Sequence, residues 1–249
     1  MPQEKKLKVE LLRHTLNPEE MVALGAKLCY SKSTIDDLRE KVEAKDQSTF
    51  VNKLLSMGHE SVFEHASFTF GIEGVSRVLL AQLTRHRLAS FSVQSQRYVS
   101  YENGFGYIIP PKIAALGEEA VSRYREQMET MQQWYVEWQQ LLGSGEGSNE
   151  DARFVLPNAC ETRIVMTMNV RELRHFFSLR MCSRAQWEIR ALATQMHRLC
   201  LATAPNLFAD AGPACLRGAC AEGEKSCGKM KSIREERARL LESIEKENK

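Results

Sequence analysis

The period of the apolar residues changes repeatedly along this chain, and this limits the possible folds more than any other feature of the sequence. Two-residue alternation, which is typical of half-buried strands, occurs in four short stretches: Lys8–His14, Ser67–Ile72, Gly104–Ile109 and Ile164–Met168. Most of the other apolar residues follow the three- and four-residue spacing of amphipathic helices. So few strands among 249 residues predict a single mixed α/β domain of α+β character, with helices packed around a modest sheet.

Capping residues, glycines and prolines indicate where the predicted helices begin and end. Asn17 is the expected N-cap of the first helix, with Pro18 at its first position. The stretch Gly143–Ser148 is the clearest loop of the chain. The predicted helices are Pro18–Cys29, one or two short helices within 33–57 that end at Gly58, Val75–Leu88, Ile113–Leu142, 150–156, Val170–Arg180, Gln186–Ala204 and 231–248, the last with Ile233, Leu240, Leu241 and Ile244 as its apolar stripe.

Composition excludes several classes of protein. Apolar residues make up 43% of the chain, which is enough to bury a core, so an intrinsically disordered chain is excluded. No apolar run approaches the roughly 20 residues that a membrane span needs, and residues 1–6 lack the apolar region of a signal peptide. The 34 basic and 32 acidic residues give a net charge of only +2, which argues against a dedicated nucleic-acid coat. We therefore expect a cytoplasmic protein without a membrane partner.

The seven cysteines predict reduced thiols rather than a disulfide framework, because their number is odd and the chain is not short. Cys29, Cys160, Cys182 and Cys200 have apolar or helical surroundings and are expected to be small core residues. Cys215, Cys220 and Cys227 are expected to be loop thiols. Their C-x4-C and C-x6-C spacings are looser than common zinc patterns, and a zinc site stays open as the alternative.

The small net charge conceals a stretch without any acidic residue, which lies between Glu73 and Glu102. Within it, the segment Arg85–Tyr98 mixes Arg and His with serines and glutamines. Planar guanidinium groups and short hydroxyls are suited to phosphate oxygens, so the segment predicts an anion site. A solvated basic face is the alternative.

A second arginine-rich region spans 153–190. On its predicted helix, Arg171, Arg174 and His175 are expected to share one face, because they are three and four residues apart. Two such regions predict a ligand with several phosphates, two phosphorylated ligands, or a nucleic-acid backbone.

The segment Gly58–His65 carries two histidines and two glutamates. His59, Glu60 and His65 could be metal ligands, although the spacing is not HExxH, and a polar loop before the next strand is the alternative. The sequence contains no GxGxxG, GxxxxGK[ST] or GxSxG pattern.

Three ordered segments of the chain are similar to one known family. Arg85-His86-Arg87, followed by seven residues and Ser95, resembles the R-H-R-x7-S signature of the flavin-dependent thymidylate synthases. Upstream, the segment 58–65 resembles the family's G-H-E-[ST]-x-x-E-H stretch, and downstream the segments 169–180 and 185–189 resemble its helices. The resemblance covers about residues 5–210.

The resemblance implies a mixed α/β protomer in a homotetramer, with FAD bound at subunit interfaces. It implies that NADPH reduces the flavin, that methylenetetrahydrofolate supplies the carbon, and that dUMP becomes dTMP. Nucleic acid is not an expected partner. The classical thymidylate synthase uses a cysteine that follows a proline, and this sequence has no Pro-Cys dipeptide.

The resemblance also implies a set of site residues. Arg180 is expected to stabilise negative charge on the uracil as its C5 becomes nucleophilic, in the way of an oxyanion hole. Ser95 lacks a paired base and is expected to bind the nucleotide rather than to attack it. The implied flavin contacts are His59, Ser61, Glu64, Arg85, His86, Arg87, Asn169, Arg171 and His175, and the implied nucleotide contacts are Gln82, Ser95, Arg97, Arg153 and Arg180.

The sequence departs from the family pattern at two places in the motifs and at its C-terminal end. Ser92-Val93 replaces a frequent Asn-Glu pair, which removes a carboxylate contact to the nucleotide, and Arg184 replaces a His, which keeps a cation but no proton-transfer group. We expect a family domain at 1–214 and an added Cys-containing loop and charged helix at 215–249. A nucleic-acid-binding module and a metal-dependent nucleotide hydrolase are the alternative functions.

Overall fold

A computed structural model of the chain describes residues 1–143 and 145–247, and the side chains of this range up to residue 242. Ser144 of the expected loop, Asn248 at the end of the last expected helix and the side chain of Ile244 therefore lie outside the described residues.

The described residues form six strands in two small sheets. One sheet pairs β1 with β5 in parallel. The other has four strands in the order β2-β3-β6-β4. The strands are β1 Gln3–Glu4, β2 Lys8–His14, β3 Ser67–Ser76, β4 Ala89–Val93, β5 Gly106–Tyr107 and β6 Glu161–Asn169.

Helices outweigh strands, as predicted, so the mixed α/β class with a modest sheet is confirmed. Short 3-10 helices at Glu60–His65, Arg153–Val155, Ala214–Leu216 and Gly223–Lys225 connect longer elements. The α-helices are α1 Pro18–Leu28, α2 Ile35–Glu43, α3 Ser48–Met57, α4 Arg77–Leu83, α5 Pro111–Ala114, α6 Glu118–Leu142, α7 Glu146–Ala152, α8 Val170–Arg180, α9 Trp187–Thr203, α10 Pro205–Phe208 and α11 Met230–Glu247.

Local backbone chemistry explains where the observed boundaries differ from the predicted ones. β3 continues to Ser76, and α4 begins at Arg77 because the Ser76 hydroxyl oxygen accepts a hydrogen bond from the backbone N–H of Leu79 at 3.1 Å. The helix then ends at Leu83, five residues before the predicted end, and the unpredicted strand β4 follows. The long helix expected from Ile113 begins only at Glu118, because Gly117 has a φ of 101° that breaks the helical path.

The expected loop at 143–148 is shorter than predicted, because Glu146–Ser148 belong to α7. Gly143 and Gly145 both have positive φ angles, 87° and 109°, and separate α6 from α7. The short helix expected at 150–156 is in fact α7 followed by the 3-10 helix Arg153–Val155.

Asn17 lies at the predicted N-cap of α1 but does not cap the helix with its side chain. Its φ of 44° is in the left-handed region, and its side-chain nitrogen donates to Glu20 Oε2 at 2.9 Å. Pro18 occupies the first turn as predicted.

The chain divides into two compact units, and every strand of the four-stranded sheet contributes residues to both. Unit 1 comprises residues 1–9, 71–87 and 91–166, and unit 2 comprises 10–70, 88–90 and 167–249. Neither unit ends near residue 214, so the expected boundary between a family domain at 1–214 and an added segment at 215–249 stays a prediction.

The core of unit 1 is rich in tyrosine and lies under α6. Tyr101, Phe105, Tyr107, Met128 and Tyr135 are buried together in it. The Tyr135 hydroxyl accepts a hydrogen bond from the backbone N–H of Tyr101 at 3.2 Å and donates to the amide oxygen of Asn149 at 3.2 Å. The buried Tyr135 hydroxyl therefore has both an acceptor and a donor partner.

The core of unit 2 is formed by aromatic side chains of β3, α8 and α10. Phe68, Phe177 and Phe208 are fully buried, and their ring centroids lie 5.4 Å (Phe68–Phe208) and 6.0 Å (Phe177–Phe208) apart in edge-to-face geometry. His197 of α9 packs its ring edge-on against Phe177 at 5.2 Å.

The cysteines are all free thiols, and their burial differs in part from the prediction. Cys160 and Cys200 are buried as expected, and Cys182 is half-buried. Cys29 is exposed, because it follows the last turn of α1 at the surface. Cys215, expected in a loop, is buried in a 3-10 helix.

Candidate active site

The residues singled out by the sequence fall into two sets, one in each unit. We call those of unit 2 the α8 set, which contains His59, Ser61, Glu64, Asn169, Arg171, His175 and Arg180. We call those of unit 1 the signature set, which contains Gln82, Arg85, His86, Arg87, Ser95, Arg97 and Arg153.

The α8 set begins at the N-terminus of α8, where Asn169 is the N-cap. Its side-chain oxygen accepts a hydrogen bond from the backbone N–H of Glu172 at 2.9 Å, which satisfies one free donor of the first turn. Because its oxygen serves the helix, its amide nitrogen is the group left to donate to a ligand.

Arg171 joins α8 to the 3-10 helix Glu60–His65 through two ion pairs. Its Nη1 lies 2.5 Å from Glu64 Oε1, and its Nε lies 3.6 Å from Glu60 Oε2. The side chain of Arg171 is 45% exposed, so the pairs contribute little to stability. They do hold a guanidinium between two carboxylates, which gives this cluster a net charge of −1 and fixes the orientation of its donors.

Gly58 and His59 end α3 in a Schellman motif. The Gly58 N–H donates to the Leu55 carbonyl and the His59 N–H to the Leu54 carbonyl, both at 3.2 Å. Gly58 has a φ of 71°, which favours glycine. This turn leaves the side chains of His59 and Ser61 exposed at the start of the 3-10 helix.

His65 lies at the other end of the same 3-10 helix and packs against α1. A Cβ built on Gly25 would be only 2.8 Å from His65 Cδ2, so the missing side chain of Gly25 makes room for this ring. Among residues 1–143 and 145–247, no three His, Cys, Asp or Glu side chains are placed so that they could hold a metal ion. The positions of His59, Glu60 and His65 therefore do not support the alternative interpretation of these residues as metal ligands.

Arg174 does not point outward with Arg171 and His175, so the prediction of a shared face is wrong. Arg171 and His175 are exposed, whereas Arg174 is 5% exposed. Its guanidinium binds both carboxylate oxygens of Asp210, at 2.6 and 2.8 Å, and the Leu207 carbonyl at 2.7 Å. Arg174 therefore holds α10 and the chain after it to α8 and is a structural residue.

Arg180 is the last residue of α8, and its side chain is half-buried. A cation in the last turn interacts favourably with the negative end of the helix dipole. Arg184, one turn of chain further on, is exposed.

In the signature set, Arg85 and Arg87 are exposed, whereas His86 between them is 6% exposed. Arg85 and His86 lie in the turn that ends α4, where the His86 N–H donates to the Leu83 carbonyl at 3.1 Å. Neither guanidinium has a side-chain partner within the described part of the chain. His86 therefore anchors a segment that exposes two unpaired cations.

Arg97 has carboxylate partners that the sequence pattern did not reveal. Its guanidinium lies 2.7 Å from Glu146 Oε1 and 3.1 Å from Glu150 Oε2, both on α7. The acid-free stretch is thus compensated by glutamates from a distant part of the chain. Ser95 precedes it, and its hydroxyl oxygen accepts a hydrogen bond from the Arg97 N–H at 3.2 Å.

Gln82 and Arg153 complete the signature set, and both are half-buried. The side-chain nitrogen of Gln82 lies 3.4 Å from the Val78 carbonyl, which is a weak hydrogen bond. Arg153 Nε donates to the Glu150 carbonyl at 3.0 Å, and its two terminal nitrogens keep their donors.

Sequence reasoning missed three carboxylates that shape these sets: Glu60, Glu146 and Glu150. Glu60 was considered only as a metal ligand, although its place four residues before Glu64 could have indicated a partner for an arginine. Glu146 and Glu150 gave no local signal, because about 50 residues separate them from Arg97.

In the part of the chain that the structure describes, no helix has the length and apolar character required to cross a membrane.

The chain is similar to proteins of one kind along most of its length. The family model described as "Thymidylate synthase complementing protein" matches residues 10–206, a range that includes both sets. The flavin-dependent thymidylate synthase of Geobacter sulfurreducens is 52% identical over 229 residues, which cover 92% of this chain and 97% of that protein. That of Clostridium tetani is 46% identical over 239 residues, with 92% and 96% covered. That of Pyrococcus abyssi is 39% identical over 245 residues, with 95% and 98% covered.

Proposed function

Because the chain belongs to the flavin-dependent thymidylate synthase family, we propose that it converts dUMP to dTMP with FAD as its cofactor. Methylenetetrahydrofolate is the proposed carbon donor and NADPH the proposed reductant. The observation that carries this function is the family match over residues 10–206 together with relatives that align over nearly their whole length.

The donors of the signature set suit the diphosphate of FAD. Arg85 and Arg87 are exposed, two residues apart and without carboxylate partners among the described residues. Two exposed and unpaired guanidiniums can each donate two hydrogen bonds to phosphate oxygens. Buried His86 keeps this segment in place, so we propose an anchoring role for it toward the flavin.

The α8 set suits a neutral, hydrogen-bonding part of the flavin better than a phosphate. The cluster of Arg171, Glu60 and Glu64 carries a net negative charge, which repels an anion. Its carboxylate oxygens accept hydrogen bonds from hydroxyl or ring N–H groups, and Asn169 offers its amide nitrogen as a donor. His59, Ser61 and His175 are exposed and add further proposed contacts.

The bound flavin supplies the reducing equivalents that turn a transferred one-carbon group into a methyl group. The chain binds and orients the nucleotide, for which we propose Gln82, Ser95, Arg97 and Arg153. The pairs of Arg97 with Glu146 and Glu150 are about half exposed, and such pairs contribute about 0–1 kcal/mol. A doubly charged phosphate therefore competes well for this guanidinium.

Arg180 is the residue proposed to activate the uracil. A guanidinium that donates to a pyrimidine carbonyl stabilises the negative charge that develops as C5 becomes nucleophilic, and its fixed charge acts before the reaction begins. Ser95 has no general base among its described hydrogen-bond partners, which are backbone groups. We therefore propose that it binds the nucleotide without attacking it.

We also propose the homotetramer that the resemblance implies, with an interface on one side of α6, because this side exposes large apolar side chains. Trp134 and Trp138 are 50% and 47% exposed, and Leu141, Leu142 and Phe154 extend the same surface, which we call the α6 apolar face. Trp138, Leu142 and Phe154 line one shallow cleft in unit 1. Contiguous exposed apolar surface of this kind is typical of protein interfaces. The expected mass by light scattering is four times the 28.4 kDa of one chain, and Trp138→Glu lowers it while Leu116→Glu, at another exposed site, does not.

We propose that the protein is located in the cytoplasm. We also propose that the segment 215–249 is an addition to a family domain at 1–214. Arg234 of α11 donates to the carbonyls of Cys215 and Gly218 at 2.9 and 2.7 Å, so α11 packs on the start of this same segment.

Turnover measurements test the function. Purified protein is incubated with dUMP, methylenetetrahydrofolate, FAD and NADPH, and each component is omitted in turn. We expect a yellow protein that NADPH bleaches and dTMP only in the complete mixture. A colourless protein that does not bind added FAD, or one that binds single-stranded DNA with a steep salt dependence and forms no dTMP, refutes the proposal.

A further inference from the structure

Four of the seven cysteines meet at one small cavity in unit 2. Cys182 lies just after α8, and Cys215, Cys220 and Cys227 come from the segment before α11. All four line a cavity of about 80 Å³, and all four are free thiols. The expected function uses none of them.

The four thiols differ in their exposure. Cys215 is buried, whereas Cys182, Cys220 and Cys227 are half-buried. Burial raises the pKa of the Cys215 thiol, and the nearby sulfur atoms of Cys220, Cys182 and Cys227 raise it further. Cys215 is therefore a protonated thiol that lines the same cavity as the three others.

Cys227 has the opposite character. The Ser183 hydroxyl lowers the pKa of the Cys227 thiol, and a backbone hydrogen bond at Lys229 lowers it further. The Ser183 oxygen is buried and makes no hydrogen bond among the described residues, so its proton is available to the Cys227 sulfur. A buried hydroxyl with an unused proton stabilises a thiolate when it donates to the sulfur.

The arrangement favours thiol chemistry over metal coordination, since the described thiols are not placed to hold a metal ion. A redox-reactive cysteine needs access to solvent, thiolate character and a neighbouring thiol that can form a disulfide with it. Half-buried Cys227 beside Cys182, Cys215 and Cys220 meets these three requirements.

We propose that these four cysteines form a peroxide-sensitive site, in which Cys227 is oxidised first and then forms a disulfide with another cysteine of the cavity. In the first step the Cys227 thiolate attacks hydrogen peroxide. An S–O bond forms, the O–O bond breaks, and after protonation the products are a sulfenic acid and water. In the second step a neighbouring thiol attacks the Cys227 sulfur, an S–S bond forms, the S–O bond breaks and a second water leaves. One peroxide is reduced and two thiols are oxidised.

Small oxidants suit this cavity better than large ones. A cavity of about 80 Å³ has room for a few molecules of the size of water or hydrogen peroxide.

Peptide mapping tests the site, because trypsin separates these cysteines. Cys227 lies in peptide 226–229, Cys182 in 181–184, Cys220 in 218–225 and Cys215 in 199–217, where fragmentation distinguishes it from buried Cys200. The full-length protein is treated with hydrogen peroxide, free thiols are alkylated, and the peptides are identified by mass spectrometry. We expect peptide 226–229 joined to one of the other three, the loss of two alkylatable thiols, and full reversal by dithiothreitol.

Two variants and a comparison of oxidation rates test whether Cys227 is the cysteine that peroxide oxidises first. Cys227→Ser abolishes the cross-linked peptide, whereas Cys29→Ser, at an exposed thiol outside the cavity, leaves its yield unchanged. In the unsubstituted protein, Cys227 reacts with a low dose of peroxide several-fold faster than Cys29, and this measurement does not depend on any variant.

Three results overturn the proposal: equal oxidation rates of Cys227 and Cys29, a Cys227 sulfenic acid that never forms a disulfide within the chain, and stoichiometric zinc that protects the four thiols in the purified protein. These readouts are independent of dTMP formation.

Discussion

Acid should destabilise the protein through a single buried histidine, His197. Its side chain is 1% exposed, and its Nε2 lies 3.1 Å from both the Phe208 carbonyl and Arg237 Nη1. Burial lowers the pKa of His197 to about 4, and the positive charge of Arg237 contributes to the shift. The ring is therefore neutral in the folded protein at neutral pH.

The size of the effect follows from proton linkage. A histidine in the unfolded chain has a pKa of about 6.5. Between that value and about 4, the unfolded state binds a proton that the folded state does not, so the free energy of unfolding falls as the pH falls. The contribution of neutral His197 to the free energy of unfolding is fully present above about pH 6.5. A difference of about 2.5 pH units corresponds to a loss of about 3 kcal/mol by pH 4.

Urea unfolding followed by circular dichroism at a series of pH values from 7.5 to 4 measures this loss. His197→Gln is expected to be less stable at pH 7.5 but to lose about 3 kcal/mol less on acidification than the unsubstituted protein. His14→Gln, at an exposed ring, keeps the original pH dependence. An unchanged slope in His197→Gln, or an NMR titration of the His197 ring near pH 6.5 in the folded protein, would refute this reasoning.

Three further predictions concern other residues. Asp210→Asn leaves the buried guanidinium of Arg174 without its counter-charge and is expected to destabilise the protein by about 3 kcal/mol in thermal unfolding. Arg39→Gln, which breaks an exposed ion pair, is the control and is expected to change the stability by less than about 1 kcal/mol. Gly58→Ala places a side chain at a φ of 71°, and its free energy of unfolding in urea is expected to be about 1 kcal/mol lower than that of the original protein. The loss is expected to be smaller for Gly58→Asn, and an Ala variant as stable as the original contradicts the strain argument. Arg180→Ala is expected to abolish dTMP formation while the flavin absorbance stays, and a variant with normal turnover contradicts the role proposed for it.

The elements with long periodic patterns were predictable from the sequence. α8 and α9 match their predicted ranges within one residue at each end, because apolar residues recur over several turns in both. β4 was not predicted, although Ala-Ser-Phe-Ser-Val alternates apolar and polar residues, because the alternation spans only five residues and its pairing in the sheet depends on strands that are distant in sequence.

The site was predictable in its residue types but not in its ion pairs. The pattern identified Arg97 and Arg171 as cations, yet the pairing of Arg97 with α7 depends on tertiary structure. Arg174 shows the opposite error, since an arginine in a cationic region was read as an exposed group although it is buried against Asp210. Charge counted along a sequence does not show which charges are neutralised in space.

The α6 apolar face has a consequence for spectroscopy. The sequence contains three tryptophans, and two of them, Trp134 and Trp138, lie on this face with about half of each side chain exposed. Indole emission shifts to shorter wavelength when water is removed from around the ring. Association through this face would therefore shift the intrinsic fluorescence of the protein to the blue, and dilution below the dissociation constant would reverse the shift without any added label.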